Sequence, residues 1–304
     1  MVLPREFRRL RLSLIGYGDV AQRVLAQHSK HRRHGPRWLL IGRSVGAIGN
    51  AADKPSRHAR LAWDLDQPCS AIRIAKISQA AIMLAPPAES ATITKDIRSR
   101  RLAAAVRSAM LRPLWVTIST TGVYGDHQGE EVDETTTCNP TQARSRRRLD
   151  AERVFRPLGA HILRVPGIYG HDRLPTARLM AQQPALRAED DVFTNHIHAD
   201  DLADIAWIAL FRGRPARVTN AVDQSELKMG DYFDAVADAT GLPRPPRISK
   251  EAMRKLGQEG KIHPMMLGFL SESRRVTTQR LNRELGVTLR YPTVHHTLST
   301  LTKP

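Results

Sequence analysis

Gly16, Gly18 and Ala21 stand in the spacing Gly-x-Gly-x-x-Ala, directly after the apolar run Leu10, Leu12, Leu14, Ile15. That pattern has phosphate chemistry. Gly16 can make a tight turn, Gly18 has no side chain to block a pyrophosphate, and Ala21 lets a helix lie close against the preceding strand. A helix beginning near Asp19 would aim its unpaired N–H groups and positive dipole end at the phosphates. Roughly 20 residues later, a site for NAD carries an acidic residue that holds the ribose hydroxyls. Here the run Trp38-Leu39-Leu40-Ile41-Gly42 ends in Arg43-Ser44 instead. A guanidinium beside a hydroxyl suits a 2′-phosphate, so the expected cofactor is NADP, with NAD as the alternative.

Two further spacings invite chemistry and do not support it. Gly42-Arg43-Ser44-Val45-Gly46 matches the nucleophile elbow Gly-x-Ser-x-Gly, which needs a helix starting straight after the serine. The continuation Ala47-Ile48-Gly49-Asn50 through Lys54-Pro55 reads as loop. His196-Ile197-His198-Ala199-Asp200-Asp201 has the look of a metal site, but a helix cap explains it better: Asp200 or Asp201 would cap a helix over Leu202 to Phe211 whose Ile205, Ile208 and Ala209 face the core. No metal is expected.

The elements that must position the glycine turn follow from short apolar runs. Ala59 to Trp63, Ala80 to Leu84 and Leu114 to Ile118 read as further strands, and a helix is expected over about 89–109. Strands alternating with helical stretches predict parallel βαβ units, a Rossmann doubly wound sheet with its ligand crevice at the C-terminal strand ends. Gly16, Arg43, Asp64, Ala85 and Ser119 would all lie along that edge. Leu174 to Gln183, Met229 to Thr240 and Ser249 to Leu256 read as helices, and Val218 to Val222 as a returning strand.

Composition narrows the classes. The 304 residues carry a formal charge of +17, which raises a nucleic-acid hypothesis. The arginines are dispersed along the whole chain and aromatics make up only 5%, so no stacking platform or recognition element emerges and no specific nucleic acid is expected. No apolar run reaches the ~20 residues that span a bilayer. Cys69 and Cys138 form no Cys-x-x-Cys, which fits a reducing compartment. A cytoplasmic monomer or homodimer acting on a small molecule is the expectation.

Ile118-Ser119-Thr120-Thr121-Gly122-Val123-Tyr124-Gly125, Leu163-Arg164-Val165-Pro166-Gly167-Ile168-Tyr169-Gly170, Ile197-His198-Ala199-Asp200-Asp201-Leu202-Ala203 and Arg290-Tyr291-Pro292 occur in that order. Together they resemble the extended short-chain dehydrogenase/reductases over about residues 10–300. The glycine pattern and Ala85-Pro86-Pro87 resemble the atypical NAD-dependent epimerase/dehydratase-like members, of which the YeeZ-type proteins are an example. The resemblance implies a Rossmann domain of residues 1–170 plus 196–212 and a smaller α/β substrate-binding lobe of 171–195 plus 213–304. It implies an oxidoreductase or epimerase/dehydratase acting on a small polar or nucleotide-linked substrate. The implied cofactor contacts are Gly16, Tyr17, Gly18, Asp19, Val20, Arg43, Ser44, Asp64, Leu65, Ala85, Pro86, Pro87 and Pro166.

The family's proton-transfer pair, Tyr-x-x-x-Lys, is missing from all five tyrosines. Aligning the family's downstream glutamate on Glu152 puts Arg144 and Arg148 in its place, and counting back from Tyr124 puts the assisting hydroxyl on Thr120. Arg144 keeps its proton at neutral pH and is a poor acid. Three options follow. Tyr124, His196 or His198 takes over proton transfer; or Arg144 holds an anionic substrate that needs little acid catalysis; or the protein is a catalytically silent NADP(H)-binding sensor or scaffold. The arginines at 144 and 146–148 also read as a solvated helix face.

Overall fold

Leu12, Ser13, Leu14 and Ile15 are all buried, the serine hydroxyl bonded to Ser78 Oγ (2.6 Å), as a strand covered on both faces requires. The computed structural model describes residues 10–29, 35–43, 58–88, 93–109 and 113–301, and it builds a seven-stranded parallel sheet from such runs. The strands are β1 (Arg11–Ile15), β2 (Arg37–Gly42), β3 (His58–Ala62), β4 (Ala80–Met83), β5 (Leu114–Thr120), β6 (His161–Val165) and β7 (Val218–Asn220). Their order across the sheet is β7-β6-β5-β4-β1-β2-β3. Strand order reverses between β1 and β4, and the Gly16 turn leaves β1 at that switch point, where open α/β sheets take their ligands.

Successive residues of each strand feed opposite layers. Leu12, Leu14, Trp38, Leu40 and Ile82 pack with Leu202, Ile205 and Trp207 of a helix spanning Ala199–Arg212, and with Ala21 and Val24 of α1 (Asp19–His28). On the other face Ile15, Ile41, Ala81 and Met83 meet α2 (Pro68–Ile77), α3 (Ile97–Ser108) and Phe155 of α4 (Ala143–Phe155). This is the Rossmann-like architecture expected. A smaller lobe has its own core, with Leu179, Leu186, Tyr232, Phe233, Val236 and Met253 at its centre. Among the described residues no helix is long and apolar enough to cross a membrane.

Several boundaries differ from the sequence reading, each for a local reason. The helix expected from 89 begins at Ile97, because Asp96 caps it by accepting from Ser99 N (3.4 Å) and Ser99 Oγ (2.6 Å); residues 89–92 lie outside the described residues. Val218–Asn220 was assigned to the smaller lobe but pairs with Ile162–Arg164 as the seventh strand of the main sheet. Leu281, Leu285 and Val287 likewise pack into the main core. The helix Ala199–Arg212 is capped by neither aspartate. His198 Nδ1 accepts from Asp200 N (3.2 Å), while Asp201 accepts from the backbone N–H groups of Arg290 and Tyr291 (both 2.9 Å) and so fixes a distant turn.

Candidate functional site

The C-terminal ends of β1, β2 and β4 enclose a cavity of about 290 Å³. Of the residues expected to hold a dinucleotide, Gly16, Tyr17, Gly18, Arg43, Asp64, Leu65, Ala85 and Pro86 line it. Asp19, Val20, Pro87 and Pro166 do not. Asp19 opens α1 beside Gly18, but its carboxylate is engaged by Arg23 (3.1 Å) and Arg173 (2.6 Å), and Val20 packs on the core. Ser44 lies outside the described residues.

The two glycines of the turn do different work. Gly16 has φ +90°, and a Cβ there would stand 2.4 Å from the backbone nitrogen of Ala85. That glycine is required by the protein's own packing. Gly18 has an ordinary φ of −102°, and a Cβ there would meet nothing within 4 Å. Gly18 is also the N-cap of α1 and supplies no side-chain cap, so the helix end is left open beside the cavity. An open cradle at a helix N-terminus fits a phosphate.

Sequence reasoning missed Trp63 and Arg98, which also line the cavity. Arg98 Nε donates to Asp66 Oδ1 (2.7 Å) and its Nη1 to the Pro86 carbonyl (3.2 Å), tying the loop after β3 to the loop after β4. No spacing announces Arg98, because both partners come from other loops. Trp63 was legible as the large apolar residue ending a strand. Asp64 Oδ1 accepts from Asp66 N (3.0 Å), which turns the chain at the cavity wall.

The turn that Thr120 opens lies against the start of α4, the helix of Arg144 and Arg148: a Cβ on Gly122 would stand 2.6 Å from Ser145 Oγ and 3.5 Å from Thr120 Oγ1. Thr120 ends β5, half-buried, and its Oγ1 accepts from Gly122 N (3.2 Å) to cap the short turn Thr121–Tyr124. Tyr124 is fully enclosed. Its hydroxyl donates to Asn220 Oδ1 (2.8 Å), Arg164 lies over its ring at 4.8 Å, and burial raises its pKa. The expectation of proton transfer by Tyr124 is therefore corrected: the phenol is a buried strut between β5 and β7.

Arg148, on α4, is buried, and its Nη1 donates to the carbonyls of Ile118 (2.9 Å) and Ala85 (3.2 Å), the ends of β5 and β4. Burial, then the charge of Arg144, pulls its guanidinium down to about 10. It still keeps its proton at neutral pH. Arg144 is exposed, and the solvated-face reading fails for Arg147 and Arg148, which are both buried. Arg147 Nη1 donates to the Ile93 carbonyl (2.9 Å). One turn beyond Arg148, Glu152 accepts from Ser119 Oγ (2.6 Å) and from Arg164 Nε (3.1 Å) and Nη2 (2.8 Å), all of them buried.

His196 and His198 are poor candidates for proton transfer near neutrality. Burial pushes His196 down to about 3; His198 falls to about 4, again by burial, with Asp200 opposing. Among the described residues no three His, Cys, Asp or Glu side chains stand together as metal ligands. Asp223, whose backbone N donates to the His196 carbonyl (2.8 Å), is pushed up to about 7 by burial, against a hydrogen bond from Ser225 N (2.9 Å). Between about pH 4 and 7 the folded state then holds a proton that the unfolded chain releases. This contribution to stability is full at low pH and is lost as pH rises through 7. Asp223→Asn removes it, so the variant should gain on the native protein as pH rises, by up to ~1.4 kcal/mol per pH unit. Urea denaturation at three pH values across that window measures this; a pH-independent difference contradicts it.

No protein-family model matches the chain, and no curated protein matches it. Solved structures do. A functionally unknown conserved protein from Silicibacter pomeroyi DSS is 28% identical, with a TM-score of 0.73 over 95% of this chain and 97% of that one. UDP-N-acetylglucosamine 4-epimerase from Bacillus cereus is 15% identical, with a TM-score of 0.65 over 95% and 96%. The dTDP-glucose 4,6-dehydratase from Bacillus anthracis, solved in complex with NAD, is 14% identical, with a TM-score of 0.72 over 95% and 94%. The chain thus has, along nearly its whole length, the Rossmann-like fold of these solved structures, an epimerase and a dehydratase among them.

Proposed function

We propose that this protein binds NADP(H) in the cavity after β1 and acts as an oxidoreductase or epimerase/dehydratase-like enzyme on a small polar or nucleotide-linked substrate. One observation carries the reading: a single cavity gathers the open Gly18 cradle, Arg43 at the end of β2 and Asp64 after β3. The backbone N–H groups around Gly18 would hold the pyrophosphate, Asp64 would accept from the adenine amine, and Arg43 would pair with the 2′-phosphate. The bound nicotinamide would supply or take a hydride. Neighbours of this fold, such as the Bacillus anthracis dehydratase, were solved with NAD; the preference for NADP rests on Arg43 and on the missing acid.

On the chemical side, Arg148 would place a fixed positive charge at the ends of β4 and β5, where it can hold a ribose hydroxyl or a developing oxyanion. Thr120 would donate to the substrate oxygen while its lone pair caps the turn. Arg144, exposed on the first turn of α4, would meet an anionic substrate group. The enclosure of Tyr124 favours the silent-sensor reading as the alternative, and turnover separates the two.

Fluorescence titration should show tighter binding of NADPH than of NADH. Arg43→Ala should weaken NADPH by about 1.5–3 kcal/mol, the worth of a charge-assisted hydrogen bond, while leaving NADH nearly unchanged. Binding of neither nucleotide defeats the cofactor assignment. Across a panel of carbonyl and sugar-nucleotide substrates, Thr120→Ala should lower turnover by about 10²-fold, at a stability cost of ~1 kcal/mol for the lost cap. Turnover unaffected by Thr120→Ala removes that residue from the chemistry.

A further inference from the structure

Below α4, away from the dinucleotide cavity and sharing no lining residue with it, lies a second cavity of about 350 Å³. Five arginines and two glutamates line it, the arginines being 153, 156, 164, 217 and 280. The two carboxylates offset only part of this charge. Glu134 spends Oε1 on Asn220 N (3.2 Å) and Thr278 Oγ1 (2.7 Å), and Glu152 serves Arg164 and Ser119. Arg217 and Arg280 share one outside partner, Glu284.

The remaining arginines still have donors to offer. Arg153 and Arg156 stand three residues apart, one helical turn, and both are exposed. Arg156 Nε makes one bond, to the Ala216 carbonyl (3.2 Å), out of the five N–H donors a guanidinium carries. Arg164 is the telling member. Its side chain is only 5% exposed, yet its Nη1 has no hydrogen-bond partner. A buried donor without an acceptor calls for a ligand or a water.

We propose that this cavity is a second ligand site, which takes the phosphate group of a small phosphorylated metabolite. Phosphate oxygens are acceptors only and carry the charge the cavity lacks, and arginine forks match their geometry better than lysines would. The size admits a sugar phosphate rather than a nucleic-acid backbone, in keeping with arginines that converge in a hollow and not along a stripe.

Inorganic phosphate is the probe. Calorimetric titration of the full chain, in chloride buffer of matched ionic strength, should show saturable binding of one equivalent at this site. Arg153→Ala combined with Arg156→Ala should weaken that binding at least tenfold, and both side chains are exposed enough for the fold to be kept. Gly18→Ala, which alters the other cavity, should leave it unchanged. Non-saturable binding, binding matched by chloride, or an unaffected double variant overturns the proposal. So does loss in Gly18→Ala instead, which would place the phosphate in the dinucleotide cavity.

Discussion

Glu152→Ala should destabilise the protein by about 3–5 kcal/mol, the cost of leaving one member of a buried ion pair alone. Glu152 is 1% exposed and its two oxygens take three hydrogen bonds, one from Ser119 and two from Arg164. Burial alone would lower the Arg164 pKa; the Glu152 hydrogen bond and charge more than offset it and leave the pKa raised. Without the carboxylate, a guanidinium already lacking one acceptor keeps only the Tyr124 ring, 4.8 Å away, and no anion. Glu152→Leu with Arg164→Met should cost much less than the single change, since a buried pair exchanged for apolar groups is often neutral. Urea denaturation of both variants decides the matter. A single-variant loss below ~1 kcal/mol would show that water reaches Arg164.

The second large effect is expected at Gly16, with Gly18 as its internal control. Gly16→Ala must place a Cβ 2.4 Å from Ala85 N and 2.6 Å from Ala85 Cα at φ +90°. Strain of ~1–2 kcal/mol at that φ adds to a clash with backbone that cannot rotate away. The end of β1 and the loop after β4 must separate, and they are two walls of the dinucleotide cavity. A total loss of about 3 kcal/mol and nucleotide affinity lowered beyond ~100-fold are expected together. Gly18→Ala meets neither obstacle, so its stability should stay within ~1 kcal/mol of native while nucleotide affinity falls. Thermal melts and nucleotide titrations of the two variants separate packing from ligand approach. Equal nucleotide affinity in Gly18→Ala and the native protein would mean that no phosphate rests at that turn.

What was legible in the chain was whatever rests on neighbours in sequence. The strands were legible because residues such as Leu39-Leu40-Ile41 are covered on both faces and need no polar alternation, and the Gly16 turn because its glycines sit next to the strand they terminate. The elements hidden from view depend on partners far along the chain. The arginines of α4 read as a solvated face, yet Arg148 reaches carbonyls 30 and 63 residues away. Tyr124 looked available for chemistry, whereas its hydroxyl is held by Asn220, 96 residues away. The aspartates after His198 looked like caps because Asp is the commoner capping residue. Here the preceding imidazole caps instead, which frees Asp201 to hold the turn at Arg290 and Tyr291.

The placement of β7 has a consequence for how the chain is made. It is the last strand of the sheet to be synthesised, and it closes the edge of β6, whose paired residues were translated 56 positions earlier. At roughly 5–20 residues per second, the ribosome leaves that edge open for several seconds, with the Tyr124 hydroxyl lacking Asn220. An unpaired edge strand is a template for neighbouring nascent chains.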